Sequence, residues 1–255
     1  MTAQPRVVVF DLDDTLAPSK SPIRADMRRM LEDLLCETTV CIISGARFEQ
    51  FEQQVLRHLS DETRFDRLHL MPTCGTRYLK WNGDVWKEIY VEDLTQRQKA
   101  RATDVLTSGA RSLGLWETQT WGPIIEDRGS QITYSALGQH APVDVKVKWD
   151  PDGRKKEQLR AYAAQRLPDL EVRSGGSTSV DVTRSGVDKA YGMKKLQDHL
   201  GLALEDFLFI GDRLDPGGND YPVRSLGVEC CSVSGWEETP SVVSDLIDEL
   251  RGKAM

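Results

Sequence analysis

The chain has 255 residues and a formal net charge of −7, enough length for one large α/β domain or for a domain carrying a smaller second one. That acidic balance argues against a nucleic-acid partner, because gripping a phosphate backbone calls for a basic face and none is apparent. No stretch approaches the roughly 18 consecutive apolar residues of a membrane span, and no leader pattern precedes the first strand-like run, so a soluble cytoplasmic protein with no membrane partner is expected. The five cysteines, Cys36, Cys41, Cys74, Cys230 and Cys231, have neither paired spacing nor a CxxC. They read as buried thiols of a reducing compartment, not as a disulfide framework or a zinc site.

The predicted elements alternate at first. A continuous apolar run at 7–10 reads as a strand, 24–35 as an amphipathic helix, 40–43 as a second strand and 48–59 as a second helix. Apolar runs of this kind suit strands covered on both faces, and strand–helix alternation implies a parallel sheet. The middle changes character: a helix near 95–113, strands around Ile124, Ile132 and Val143, a helix at 154–167, and strands near Glu171 and Val180. The charged stretch 146–156, with its Asp150-Pro151-Asp152-Gly153 turn, reads as a solvated connection. After about Asp188 the parallel pattern resumes with a helix at 191–200 and strands at 208–210 and 228–233. The expected layout is an α/β core at 1–88 and 188–255 with an α+β unit inserted at 89–187.

Candidate chemistry gathers where strands end. The first strand runs into Asp11-Leu12-Asp13-Asp14-Thr15, and the strand at 208–210 into Gly211-Asp212 and a loop holding Asp215, Asn219 and Asp220. In an open parallel sheet the crevice lies beyond the carboxyl ends of the strands. Carboxylates collected there repel one another, and oxygen-rich clusters of this kind suit Mg²⁺. Ser44 and Gly45 end another strand just before a helix, where Ser44 serves either as a helix cap or, with the small-residue amides, as an anion holder. Lys189 opens a later helix, where it is either solvated or set to neutralise a phosphate.

In order, Asp11-Leu12-Asp13-Asp14-Thr15, Ser44, Lys189 and Gly211-Asp212 with Asp220 resemble the four motifs of the haloacid dehalogenase superfamily. Asp14 departs from the usual Asp-x-Asp-Gly-Thr pattern. The resemblance implies a Rossmann-like core with an inserted type IIB cap. It makes Asp11 the nucleophile of an aspartyl-phosphate, Asp13 the general acid and base, and Ser44 and Lys189 the holders of the transferring phosphoryl group. Mg²⁺ would be held by Asp11, the Asp13 backbone carbonyl and Asp212, with Asp220 and Asn219 at the edge of its shell. Whether Asp215 joins them is left open.

Two runs, Pro216 to Asp220 and Ser174 to Val182 followed by Gly186-Val187-Asp188-Lys189, look like the eukaryotic phosphomannomutase branch of that superfamily. The resemblance assigns substrate contacts to Arg128, Ser179 and Asp181. A mutase of this branch is expected to grip a second phosphate with three cap arginines, and only Arg128 is matched; Trp121 and Gln139 bring no charge where the others would stand. Each charge-assisted contact is worth about 1.5–3 kcal/mol, so the shortfall favours a phosphatase of sugar phosphates or similar small phosphoesters. A hexose-phosphate mutase is the alternative, with Lys20, Arg47, Lys146 or Lys148 compensating. A catalytically silent binding protein is disfavoured because the catalytic carboxylates are all present. Trp121 is the one tryptophan expected to stack on substrate, and the four histidines receive no role. By analogy with the branch, the chain is a monomer or a cap-mediated homodimer.

Overall fold

The computed structural model describes residues 4–252. Strand β1 (Val7–Phe10) is followed by helix α1 (Ala25–Glu37), strand β2 (Thr39–Ile43) and helix α2 (Phe48–Gln54). Next come β3 (Leu68–Met71), a single turn α3 (Pro72–Gly75), and the hairpin strands β4 (Arg77–Trp81) and β5 (Trp86–Val91). The middle holds α4 (Gln96–Ser112), β6 (Ile125–Asp127), β7 (Gln131–Ser135), α5 (Val143–Trp149), α6 (Arg154–Arg166), β8 (Leu170–Ser174) and β9 (Ser179–Arg184). The chain closes with α7 (Lys189–Leu200), β10 (Phe207–Gly211), α8 (Tyr221–Ser225), β11 (Glu229–Ser232) and α9 (Thr239–Gly252). It divides into two compact units, Met1–Val91 with Asp188–Met255, and Glu92–Val187.

In the first unit the sheet order is β11-β10-β1-β2-β3-β4-β5. The five strands from β11 to β3 run parallel. Successive side chains of a strand point to opposite faces, and here both faces are covered. Val8, Phe10, Val40, Ile42 and Ile210 pack with Met27, Leu31 and Leu34 of α1 and Val243 and Ile247 of α9. Val7, Val9, Cys41, Ile43 and Phe209 pack with Met193 and Leu196 of α7 and Val223 of α8. That two-sided burial is why the strands read as unbroken apolar runs.

The sheet of the second unit is antiparallel, in the order β6-β7-β9-β8. Its apolar face, with Ile132, Tyr134, Val172, Val180 and Val182, packs on Ala102 and Leu106 of α4 and Leu159 and Ala163 of α6. Helix α4 is started by a capping box, in which Thr95 accepts from the Gln98 backbone N–H and the Gln98 side chain accepts from that of Thr95.

Several expectations are corrected. The segment from Val143 is a helix, although Val143-Asp144-Val145-Lys146-Val147-Lys148 alternates with the period of a strand. Pro142 supplies the N-cap, its carbonyl accepts from Lys146, and Trp149 at the far end is buried. Nor is 146–156 a solvated link throughout, since buried Asp150 accepts from the backbone N–H groups of Lys155 and Lys156 at the start of α6. The helix expected at 48–59 stops at Gln54, because Val55 leaves helical geometry and one 3₁₀ turn follows. Strands β3, β4 and β5 had not been anticipated; β4 and β5 are antiparallel and carry the first unit to Val91, beyond the expected boundary at 88. Of the cysteines Cys41 is buried, Cys36 is exposed and the other three are half-buried. Among the described residues no helix is long and apolar enough to cross a membrane.

His69 is 3% exposed on β3, and its Nδ1 lies 2.5 Å from the Tyr78 hydroxyl. Burial, assisted by the charges of Lys80 and His199, pushes its pKa down to about 4, below the unfolded value of about 6.5. Its neutral form therefore contributes stability that is complete above pH ~6.5 and is lost as pH falls towards 4. Relative to His69→Gln, the native chain is expected to lose up to ~3 kcal/mol more across that window. Denaturant unfolding of both proteins at pH 7, 5.5 and 4.5 checks this, and parallel curves would refute it.

Candidate active site

The chain leaves β1 towards β2 on one side and returns through β10 on the other, so β1 and β10 are parallel neighbours with Phe10 opposite Ile210. This is the switch point at which strand ends open a crevice. The Asp11 N–H donates to the Ile210 carbonyl at 3.0 Å, and Asp212 follows the last residue of β10. Oxygens of Asp11, Asp212 and Asp220 lie within 4.8 Å of one another. The Lys189 ammonium is 2.5 Å from both Asp11 Oδ1 and Asp220 Oδ1. Asp11, Asp220 and Lys189 are 3%, 0% and 2% exposed, so the alternative of a solvated lysine is set aside.

Burial lifts the Asp11 carboxyl to about 7; Lys189 pulls against that rise and Asp220 adds to it. Burial by itself would lower the Lys189 pKa, but the Asp11 and Asp220 carboxylates outweigh it and hold the ammonium charged. Asp212 is also raised, mainly by burial, although the Thr15 hydroxyl donates to it at 3.0 Å. With all three ionised, one ammonium against three carboxylates leaves a deficit of two charges. A divalent cation that prefers hard oxygen ligands fits both that deficit and this donor set. Asp215 stands apart, exposed and ion-paired with Arg213 at 3.1 Å. Asn219 is exposed beside buried Asp220.

Close backbone approach brings these groups together. Gly211 ends β10, and a Cβ there would come within 2.5 Å of Asp220 Oδ2. The start of α7 is set by Asp188, whose side chain accepts from the Tyr191 N–H. A Cβ on Gly75 would lie 2.4 Å from the Cα of Gly192, so α7 meets the α3 turn backbone to backbone. Within that turn Thr73 and Cys74 hold left-handed φ values of 49° and 56°, uncommon for residues with a β-carbon. Their N–H groups donate to the carbonyls of Ala46 and Ser44 at 2.9 and 2.8 Å, which braces the loop after β2. Ser44 is buried there, its Oγ accepting from the Ala46 N–H at 3.1 Å, while Gly45 is half-buried. Arg47 takes the N-cap position of α2, so Ser44 is not its helix cap.

Asp13 is half-buried, and its carboxylate lies outside the acidic trio. It accepts from the Lys20 N–H and from the side chains of Gln50 and Gln54. Asp14 has a φ of 60°, which accounts for the glycine usual at this position and for aspartate as a tolerated replacement. Sequence reasoning missed Gln50, Gln54 and Thr15. The i, i+4 spacing of the glutamines on α2 was the available signal.

Arg128, Ser179 and Asp181 belong to the second unit. Strand register sets Thr133 opposite Asp181 and Ser135 opposite Ser179. The Thr133 hydroxyl donates to Asp181 at 2.8 Å, and the Ser135 and Ser179 hydroxyls are 3.1 Å apart. Arg128 donates to Glu126 at 2.7 Å. Gln139 donates to Ser135 Oγ, and its carbonyl accepts from the Lys146 ammonium at 2.8 Å. Trp121 is exposed.

A sequence model described as eukaryotic phosphomannomutase matches residues 27–248. The chain is 23% identical to the phosphomannomutase of Saccharomyces cerevisiae over 252 residues, covering 95% of this chain and 94% of the yeast one. Its fold is similar to that of IMP-bound, N-terminally truncated Plasmodium falciparum IMP-nucleotidase, with TM-score 0.71 and 15% identity over 95% of this chain and 68% of the other. A haloacid dehalogenase-like hydrolase from Bacteroides thetaiotaomicron gives TM-score 0.64 and 16% identity over 95% and 98% of the two chains. The chain belongs to the eukaryotic phosphomannomutase family.

Proposed function

We propose that this protein is a Mg²⁺-dependent phosphotransferase that takes the phosphoryl group of a sugar phosphate onto Asp11. The observation that carries the reading is the buried ammonium of Lys189 held between Asp11 and Asp220, with Asp212 within reach. Lys189 neutralises part of the charge that an incoming phosphate would meet and keeps the Asp11 carboxylate oriented for attack. Asp13 protonates the leaving oxygen and afterwards takes a proton from the acceptor. Mg²⁺, held by Asp11, Asp212, the Asp13 carbonyl and the nearby Asp220, would supply a Lewis acid for the phosphoryl oxygens. Ser44 and Gly45 are assigned to the phosphoryl oxygens, and Arg128, Ser179, Asp181 and Asn219 to the remainder of the substrate.

Two acceptors fit this chemistry. Kinship favours the mutase, in which a second sugar hydroxyl takes the phosphoryl group, since the matched family and the curated relatives carry that name. Lys146 supports the same reading by bringing a positive charge to Gln139, where an arginine was expected. The rest of the second unit supports water as acceptor, because Glu126 neutralises Arg128 and Trp121 carries no charge.

With Mg²⁺ and glucose or mannose 1- and 6-phosphates, transfer to a sugar is expected to appear as interconversion stimulated by a hexose 1,6-bisphosphate. Transfer to water is expected to appear as release of inorganic phosphate without interconversion. Replacing Asp11 with Asn is expected to lower either activity by roughly a thousandfold or more while the chain still folds; an active purified variant would remove Asp11 from its role. Mg²⁺ at a hundred times its Kd is expected to stabilise the native chain by ~2.7 kcal/mol. Thermal unfolding of Asp212→Asn should lose most of that gain, and an unchanged shift would place the ion elsewhere.

A further inference from the structure

We infer that Gln50 and Gln54 are positioning residues for Asp13, forming an amide clamp that fixes which carboxylate oxygen exchanges the proton. The inference rests on the reading of Asp13 as the acid and base. Four residues apart on α2, the two glutamines share one face of the helix. Gln50 Nε2 lies 2.9 Å from Asp13 Oδ2 and 3.2 Å from Oδ1. Gln54 Nε2 lies 3.3 Å from Oδ1, and the Lys20 N–H donates to the same oxygen at 2.8 Å. Three of these four contacts fall on Oδ1, so Oδ2 is the oxygen with room for a reacting partner.

The clamp is anchored. Gln50 Nε2 is 2.6 Å from Gln54 Oε1, which orders one amide against the other. Gln54 is 2% exposed, and its Nε2 also reaches the carbonyls of Pro18 and Ser21 at 3.1 and 3.0 Å. The Ile23 N–H donates to the Gln54 carbonyl at 2.7 Å. One buried side chain therefore ties α2 both to the loop after β1 and to the carboxylate that the loop carries. A long polar side chain is ordered at an entropic cost, and two amides converging on one carboxylate is more than a tie between helix and loop requires.

In the first step an oxygen of Asp11 bonds to phosphorus while the bond from phosphorus to the leaving oxygen breaks, and the proton on Asp13 Oδ2 passes to that oxygen. In the second step the acceptor oxygen bonds to phosphorus, the bond from Asp11 to phosphorus breaks, and the acceptor's proton returns to Oδ2. The clamp acts on both transfers by aiming Oδ2. A phosphoester whose leaving group departs without a proton should be insensitive to it.

The test uses the full chain with Mg²⁺ and compares kcat/KM for phenyl phosphate, whose leaving group needs a proton, with that for p-nitrophenyl phosphate, whose leaving group does not. Gln50→Leu is expected to lose roughly ten- to a hundredfold on phenyl phosphate and less than about threefold on p-nitrophenyl phosphate. Gln54→Leu should behave alike, and Gln50→Glu, which keeps the shape and reverses the donor, serves if a leucine variant fails to fold. Adding Gln50→Leu to Asp13→Asn should change neither value further. Equal losses on both esters, no loss, or an additive double variant would overturn the clamp. Asp13→Asn by itself tests the underlying reading: without a leaving-group dependence of its own, the assignment of Asp13 falls and the inference with it.

Discussion

A lysine ammonium buried between two buried carboxylates is the constraint on which the rest of this site depends. Taking such charges out of water costs several kcal/mol for each ion, and breaking a buried pair by deleting one partner typically costs 3–5 kcal/mol. Lys189, Asp11 and Asp220 therefore offset the cost of one another's burial. Each arrives on a different segment: the end of β1, the start of α7 and the loop after β10. Their meeting requires β1 beside β10, α7 against the α3 turn, and no side chain on Gly211. A core that packs both faces of the sheet meets the first requirement, and close glycine contacts meet the other two.

The two units deploy charge differently. At the strand ends of the first, carboxylates and one ammonium lie within a few ångströms. The polar side chains singled out in the second include neutral pairs, Ser135 with Ser179 and Gln139 with Ser135, and the charged Asp181 and Arg128 are engaged by Thr133 and Glu126. Lys146 qualifies that contrast. Helix α5 brings its ammonium to the Gln139 carbonyl, a placement hidden by the strand-like alternation of the sequence.

Strain is concentrated around the same site. Asp14, Lys20, Thr73 and Cys74 are the non-glycine residues with positive φ among those described. Asp14 and Lys20 belong to the loop that carries Asp13, while Thr73 and Cys74 brace Ser44 through backbone hydrogen bonds. Residues in sparsely populated backbone conformations persist where their surroundings over-determine them, often at sites of chemistry. Gln54 gives the Asp13 loop that support.

The parallel core strands, the inserted α+β unit and the order of Asp11, Asp13, Ser44, Lys189, Asp212 and Asp220 can be read from the amino-acid pattern. These were legible because two-sided burial leaves continuous apolar runs and because the aspartates at the strand ends keep a recognisable order. Strand β5 was not legible, since it leaves Ile89 and Val91 exposed and lacks the apolar signature of a covered strand. Helix α5 was misread because its period-two alternation matches a strand, whereas Pro142 and the burial of Trp149 favour a helix. That Lys189 is buried and paired, that Asp215 pairs with Arg213 and that two glutamines hold Asp13 is visible in the folded chain alone. The pairing of Lys189 and the glutamine contacts to Asp13 depend on distances between groups far apart in the chain, which local pattern does not encode and packing alone sets.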